Sequence, residues 1–203
     1  MLKPIYFTNV LGLLVITAFS SGFSQSSGFL SSLGSENVDM LSELIADVRS
    51  VYTSIEVKDC QVIETERQSN FSISSCPGYS DIPVFTQLTQ HEDYLKIGNQ
   101  SDRWESHPSR FNSLGKVVEW RLRGDKPFAA IYRHDVHLPS SQGSEKVSYL
   151  GVVKITEDRD SCITAFIDGR LPNANEIARN YADENTVSFV CGEQEARNIL
   201  NQI

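Results

Sequence analysis

The chain has 203 residues, 40% of them hydrophobic and 22% charged, with a formal charge of -8 at pH 7. That length suits one domain or at most two small ones, and that balance excludes a disordered, collagen-like or coiled-coil chain. Phosphate backbones are held by clustered Lys and Arg, so 18 cations among 26 Asp and Glu exclude nucleic acid as a partner unless the cations gather on one face; a cationic partner is not repelled.

At the start of the chain Lys3 precedes an apolar run at residues 10–19 (VLGLLVITAF), followed by a small polar exit at 20–25 (SSGFSQ). This is the pattern of a secretory signal peptide. A run of ten is about half of what a membrane-spanning helix needs. Cleavage is therefore expected, after Ser20 or Ser24, with small residues Ala18 or Gly22 two positions earlier. The segment 1–24 would be removed, leaving 17 cations against 26 acidic groups and a charge of -9. No cysteine near either cut offers a lipid anchor, and no later stretch is apolar enough to span a membrane. The expected location is periplasmic or secreted, and the expected mature protein is soluble.

Residues 25–37 begin with a Ser- and Gly-rich stretch (QSSGFLSSLG) and read as a flexible lead-in, so a single domain is expected over 38–203. Apolar residues at 40, 41, 44, 45, 48, 51 and 52 predict an amphipathic helix over 38–52. Strands are predicted at 55–64 and 71–76 around a polar turn, then at 84–88 and 94–97, before an irregular segment at 98–115. Strict alternation in Val118, Trp120 and Leu122 predicts a hairpin of 118–123 with 128–135, turning at Gly124 to Pro127. Strands 147–156 and 162–168 are apolar on both faces, as for strands covered on both sides. Asn173 and Glu176 suggest a capping box opening a helix with Ala174, Ile177, Ala178, Tyr181 and Ala182 on one face. A strand at 186–191 and a last helix at 193–203 complete an α+β fold: a mostly antiparallel sheet with an N-terminal helix and C-terminal helices packed on it.

The exported chain carries four cysteines, Cys60, Cys76, Cys162 and Cys191, an even number suited to an oxidising compartment. Three pairings are open to the sequence, and local organisation favours Cys60 with Cys76 and Cys162 with Cys191. A four-thiolate zinc site needs close pairs, whereas the nearest of these lie sixteen residues apart, so no metal is expected.

No G-x-S-x-G, Gly-rich phosphate loop, H-E-x-x-H or dinucleotide motif occurs, so no cofactor is expected. His134, Asp135 and His137, with His91 and His107 elsewhere, form one candidate cluster. Strand alternation turns His134 and His137 to opposite faces, and Asp135 and His137 to the same one. The competing reading is a pair of solvated histidines at a strand end. The segment 99–115 gathers Arg103, Trp104, His107, Arg110 and Phe111, either as a contact surface or with Trp104 and Phe111 plugging the sheet's end, where each would bury about 150–250 Å². The plug is favoured. Arg121, Arg123 and Arg133, with Lys126, could share a face as an anion site, or pair with Glu119 and Asp135.

The segments CPGY at 76–79, EWRLR at 119–123, PFAAIYR at 127–133, and ID at 167–168 followed by PNANEIAR and AD up to 183 resemble a group of exported proteins of Gram-negative bacteria. The resemblance covers residues 60–191. It implies export, and cysteines that bracket the CPGY and ID segments in the local pairing. It carries no activity, cofactor or catalytic residue.

The expectation is an exported, non-catalytic binding or envelope-associated protein. Its candidate ligand contacts are Arg121, Arg123, Arg133, Trp104 and Arg110, its contact surface the sheet face or the Trp104 loop, and its partner an envelope component or another protein. The alternatives are an inhibitor of a cationic extracellular hydrolase and a hydrolase using His134, Asp135 or His137.

Overall fold

In the computed structural model, residues 47–99, 104, 105, 107, 109, 111–141 and 143–200 are described, all within one unit, Met40–Ile203. The expected signal segment, the lead-in, and residues 38–46 of the expected first helix lie outside the described residues, as do Arg103 and Arg110.

The strands, in chain order, are β1 (Val48–Ser54), β2 (Gln61–Glu66), β3 (Phe71–Tyr79), β4 (Ile82–Leu88), β5 (Asp93–Ile97), β6 (Asn112–Arg123), β7 (Lys126–Ser140), β8 (Gly143–Ile155) and β9 (Ser161–Asp168). They are followed by the helix α1 (Ala174–Asn185) and β10 (Arg197–Ile199). One sheet has the order β1-β6-β7-β8-β9-β10, antiparallel except for β10, which runs parallel to β9; the other is an antiparallel β2-β3-β4-β5. The central stretches of β7, β8 and β9 are apolar on both faces because both are covered, whereas β6 is apolar on the side of the smaller sheet and polar, at Glu119 and Arg121, on the other. On one side Val118, Trp120, Leu122, Ala130 and Tyr132 pack against Ile82, Val84, Leu95 and Ile97 of the smaller sheet. On the other, Ala129, Ile131, Leu150, Val152, Ala165 and Ile167 meet Ala174, Ala178, Tyr181 and Ala182 of α1. Three alanines at helical spacing let α1 lie close to the sheet, and the Tyr181 hydroxyl donates to the Thr164 carbonyl at 3.1 Å.

The chain is therefore mostly β, in two sheets with a single described helix, and the α+β architecture is corrected. Residues 48–52 belong to strand β1, whose whole length pairs with β6, Val51 opposite Trp120 and Thr53 opposite Val118. Their spacing fits both periods, and β-branched side chains beside an open sheet edge favour the strand. Residues 186–191 form turns and irregular backbone rather than a strand, and the helix expected from 193 gives way to turns and β10, with 201–203 outside the described residues. Asn173 is not a capping residue. Its backbone is left-handed (φ 60°, ψ 31°) and its side chain makes no cap bond, whereas a cap needs extended geometry. Strand β3 runs on through Pro77, where a register shift between Cys76 and Tyr79 accommodates the missing N–H. Gly78 there comes so close to the Ile82 carbonyl that an added Cβ would lie 1.9 Å from its oxygen.

Both disulfides form as local organisation suggested, Cys60–Cys76 and Cys162–Cys191. They agree with an oxidising compartment. No helix among the described residues is long and apolar enough to cross a membrane.

Candidate functional site

The arginines of the β6–β7 hairpin separate into different roles. Arg121, only 7% exposed, donates through Nε and Nη2 to the Asp183 carboxylate at 2.9 and 2.5 Å and through Nη1 to Ser50 Oγ at 2.6 Å. Glu119 beside it accepts from Arg179 Nε at 2.6 Å and from Ser50 Oγ. These bonds latch α1 to β1 and β6. Arg123 lies over the Phe128 ring at 4.8 Å, and Arg133 reaches Asn175 Oδ1 at 3.2 Å. Arg121 and Arg133 do share the helix side of the hairpin, but the donors of Arg121 are held by protein acceptors. Replacing Arg121 with Ala is expected to cost about 2–3 kcal/mol in urea unfolding, since it strands a partly buried carboxylate. A loss under about 0.5 kcal/mol would mean the latch is only a surface pair.

Trp104 lies beside the outer face of the smaller sheet, where the Lys96 ammonium sits 5.1 Å from its ring and 4.5 Å from that of Phe85. Phe111 plugs nothing: it is 55% exposed.

The His134–Asp135–His137 cluster does not converge. His134 is fully buried on the face turned to the smaller sheet, its ring 5.0 Å from Tyr132 and 6.3 Å from His107, and neither of its nitrogens has a hydrogen-bond partner. The expectation of solvated strand-end histidines fails for it, because β7 continues to Ser140 and keeps His134 under cover. Burial, aided by His107, lowers its pKa to about 3. His107, stacked at 4.3 Å on Tyr149, is also pushed down by burial. The Tyr132 hydroxyl beside His134 has no hydrogen-bond partner either, and burial pushes its pKa up. Asp135 faces the other way and is bound by Ser148 Oγ and by Lys146 Nζ at 2.8 Å. Burial pushes its carboxyl up, but these bonds outweigh it and hold the group below the usual range. His137 is exposed at the far end of β7.

A pocket of about 620 Å³ opens where the β4–β5 turn meets the start of β6, the end of β7 and the start of β8. That volume falls within the roughly 300–1,000 Å³ of small-ligand sites. His91, Asp93, Phe111, Ser113, His137 and Ser144 are among its lining residues. Thr89 shapes the turn, its Oγ1 accepting from the Glu92 N–H at 3.0 Å and donating to the Glu92 carbonyl at 2.6 Å. Asn112 joins this turn to β6: its N–H donates to the His91 carbonyl at 3.1 Å and its Oδ1 accepts from the Asp93 N–H at 3.2 Å. Asp93 in turn accepts from the Leu114 N–H at 3.1 Å. Burial pushes the Asp93 carboxyl up, and backbone bonds from Leu114 and Thr89 only partly offset this.

Phe111 stands on a left-handed backbone, φ 62°, with His91 edge-on to its ring at 5.2 Å. The His137 N–H donates to its carbonyl at 2.9 Å, which fixes that conformation from β7. A left-handed backbone costs a non-glycine residue about 1–2 kcal/mol, and an exposed ring regains little of that by packing. His91, Phe111 and His137 are each visible in the sequence, but nothing there signals their convergence, since a positive φ at phenylalanine leaves no compositional trace. Among the described residues no group of three His, Cys, Asp or Glu could hold a metal ion. No family model, curated protein or solved structure matches the chain.

Proposed function

We propose that the protein is an exported, non-catalytic binding protein that takes a small ligand into the pocket walled by Phe111, His91 and His137. What carries this is the strained, outward-facing Phe111: the fold bears a local backbone cost to keep an aromatic ring exposed at the mouth of a ligand-sized cavity. Export is supported by the two disulfides, which persist in an oxidising compartment. A hydrolase reading is less well supported: burial leaves His134 out of reach of a substrate, and Asp135 is engaged by Ser148 and Lys146.

The test is a ligand-observed NMR screen of chemically diverse small molecules against the protein and against Ser113→Trp and Ser144→Trp. These variants fill the pocket from two walls. The expected result is a set of mutually competing ligands whose affinity falls about tenfold or more in both variants, with the melting temperature kept. Binding indifferent to both substitutions, or no binding at all, would remove the pocket from the function.

A further inference from the structure

We infer that the ligand of this pocket is a neutral saccharide, one sugar ring lying with its C–H face on Phe111, an assignment that presupposes the binding pocket proposed above. A pyranose has a distinctive surface. One face is a patch of C–H groups that pack on an aromatic ring, whose negative π-face attracts their slight positive charge. Its rim is a ring of hydroxyls, each able to donate and to accept.

The pocket offers the complement of both. Phe111 supplies one exposed aromatic face, held rigidly by its backbone bond to β7 and flanked edge-on by His91. Around it stand Ser113 and Ser144, whose hydroxyls donate and accept, and His91 and His137, whose ring nitrogens are hydrogen-bonding groups. This two-way lining suits hydroxyls better than a charged head group. The carboxylate on the wall, Asp93, already accepts from the Leu114 N–H, so it offers a cationic ligand a weakened partner. An anionic ligand would approach a chain of net charge -8, whose field repels it.

The experiment is saturation-transfer NMR with maltose, cellobiose and N,N′-diacetylchitobiose as neutral probes, and with citrate as the anionic probe. At least one disaccharide is expected to bind, with saturation entering through ring C–H protons. Phe111→Gly is expected to weaken that binding about tenfold or more, while Phe111→Tyr retains it. Glycine adopts a positive φ freely, so the loss should come without a lower melting temperature. The saccharide assignment is overturned if no disaccharide binds, or if disaccharide binding is indifferent to Phe111→Gly. Citrate or another screened compound binding in a manner sensitive to Ser113→Trp, with the sugars silent, would overturn the assignment and leave the pocket standing. Insensitivity of every ligand to the pocket-filling variants would bring down both.

Discussion

Cys191→Ser is expected to be the most damaging single change among those considered, costing about 3.5 kcal/mol in urea unfolding and exposing the chain after Asn185 to protease. The Cys162–Cys191 bridge closes a loop of 29 residues, and chain entropy lost by the unfolded state alone gives that magnitude. Its loss is also poorly compensated. Beyond α1 the chain is held by few other contacts: Lys154 Nζ donating to the Val187 and Phe189 carbonyls at 3.0 and 2.8 Å, the buried Phe189 ring, and the three-residue β10. Cys60–Cys76 closes a loop of 16, worth about 3 kcal/mol on the same basis, and secures β2, whose every residue is exposed. Cys60→Ser should therefore free one edge strand and leave the rest of the sandwich intact. The two variants are compared by urea midpoints and by mass spectrometry of the first tryptic fragments. A Cys60→Ser variant that is the less stable of the two, or a Cys191→Ser variant first cut before Asn185, would contradict this.

His134→Leu is expected to stabilise the protein at pH 7 and to remove much of its sensitivity to acid. In the native state His134 is neutral and its two nitrogens are unsatisfied in a buried site, a burden of about 1–3 kcal/mol that leucine, of similar size, does not carry. Its pKa in the folded protein is about 3, well under the 6.5 of a solvated imidazole. Above pH 6.5 neither state binds the proton and the histidine imposes no acid penalty. As pH falls from about 6.5 towards 3, the unfolded chain takes up a proton that the folded one refuses, and stability is lost throughout that window, up to about 4–5 kcal/mol at its lower end. His107, also depressed by burial, adds to the loss in the same direction. Urea titrations from pH 7.5 to about 3.5 should show a shallower decline in His134→Leu than in the parent. Parallel curves, or a variant less stable at pH 7 by more than about 1 kcal/mol, would mean that the imidazole has a partner in solution.

What the sequence makes legible is the strands whose alternation is backed by turn chemistry. Val118, Trp120 and Leu122 against Glu119 and Arg121, followed by Gly124, announce the β6–β7 hairpin, and the doubly apolar runs of β8 and β9 announce covered strands. The disulfide pairing follows from the local order of the chain. Failures cluster where one pattern fits two periods. Val48, Val51 and Tyr52 suit a helical face as well as a strand, and only the open edge of β6 decides between them. At the C-terminus β10 is three residues long, too short for any periodic signal, and exists because β9 offers it an edge. The site was legible only as fragments. Phe111 lies 20 residues after His91 and 26 before His137, and they meet because Asn112 bonds the β4–β5 turn to β6 while β7 runs past its expected end at Asp135 to Ser140 and so carries His137. Alternation placed His134 opposite Asp135 correctly, but its burial depends on His107 and Tyr149, which local pattern cannot bring to it.

The most direct measurement is a crystal structure of the protein soaked with the tightest ligand from the screen. Density for that ligand against the exposed side of the Phe111 ring and within reach of the side chains of His91 and His137, with Phe111 still at positive φ, is the expected result. A ligand seated elsewhere, on the outer face beside Trp104 and Lys96 for instance, with the Phe111 pocket holding only solvent, would contradict the assignment of this pocket as the binding site.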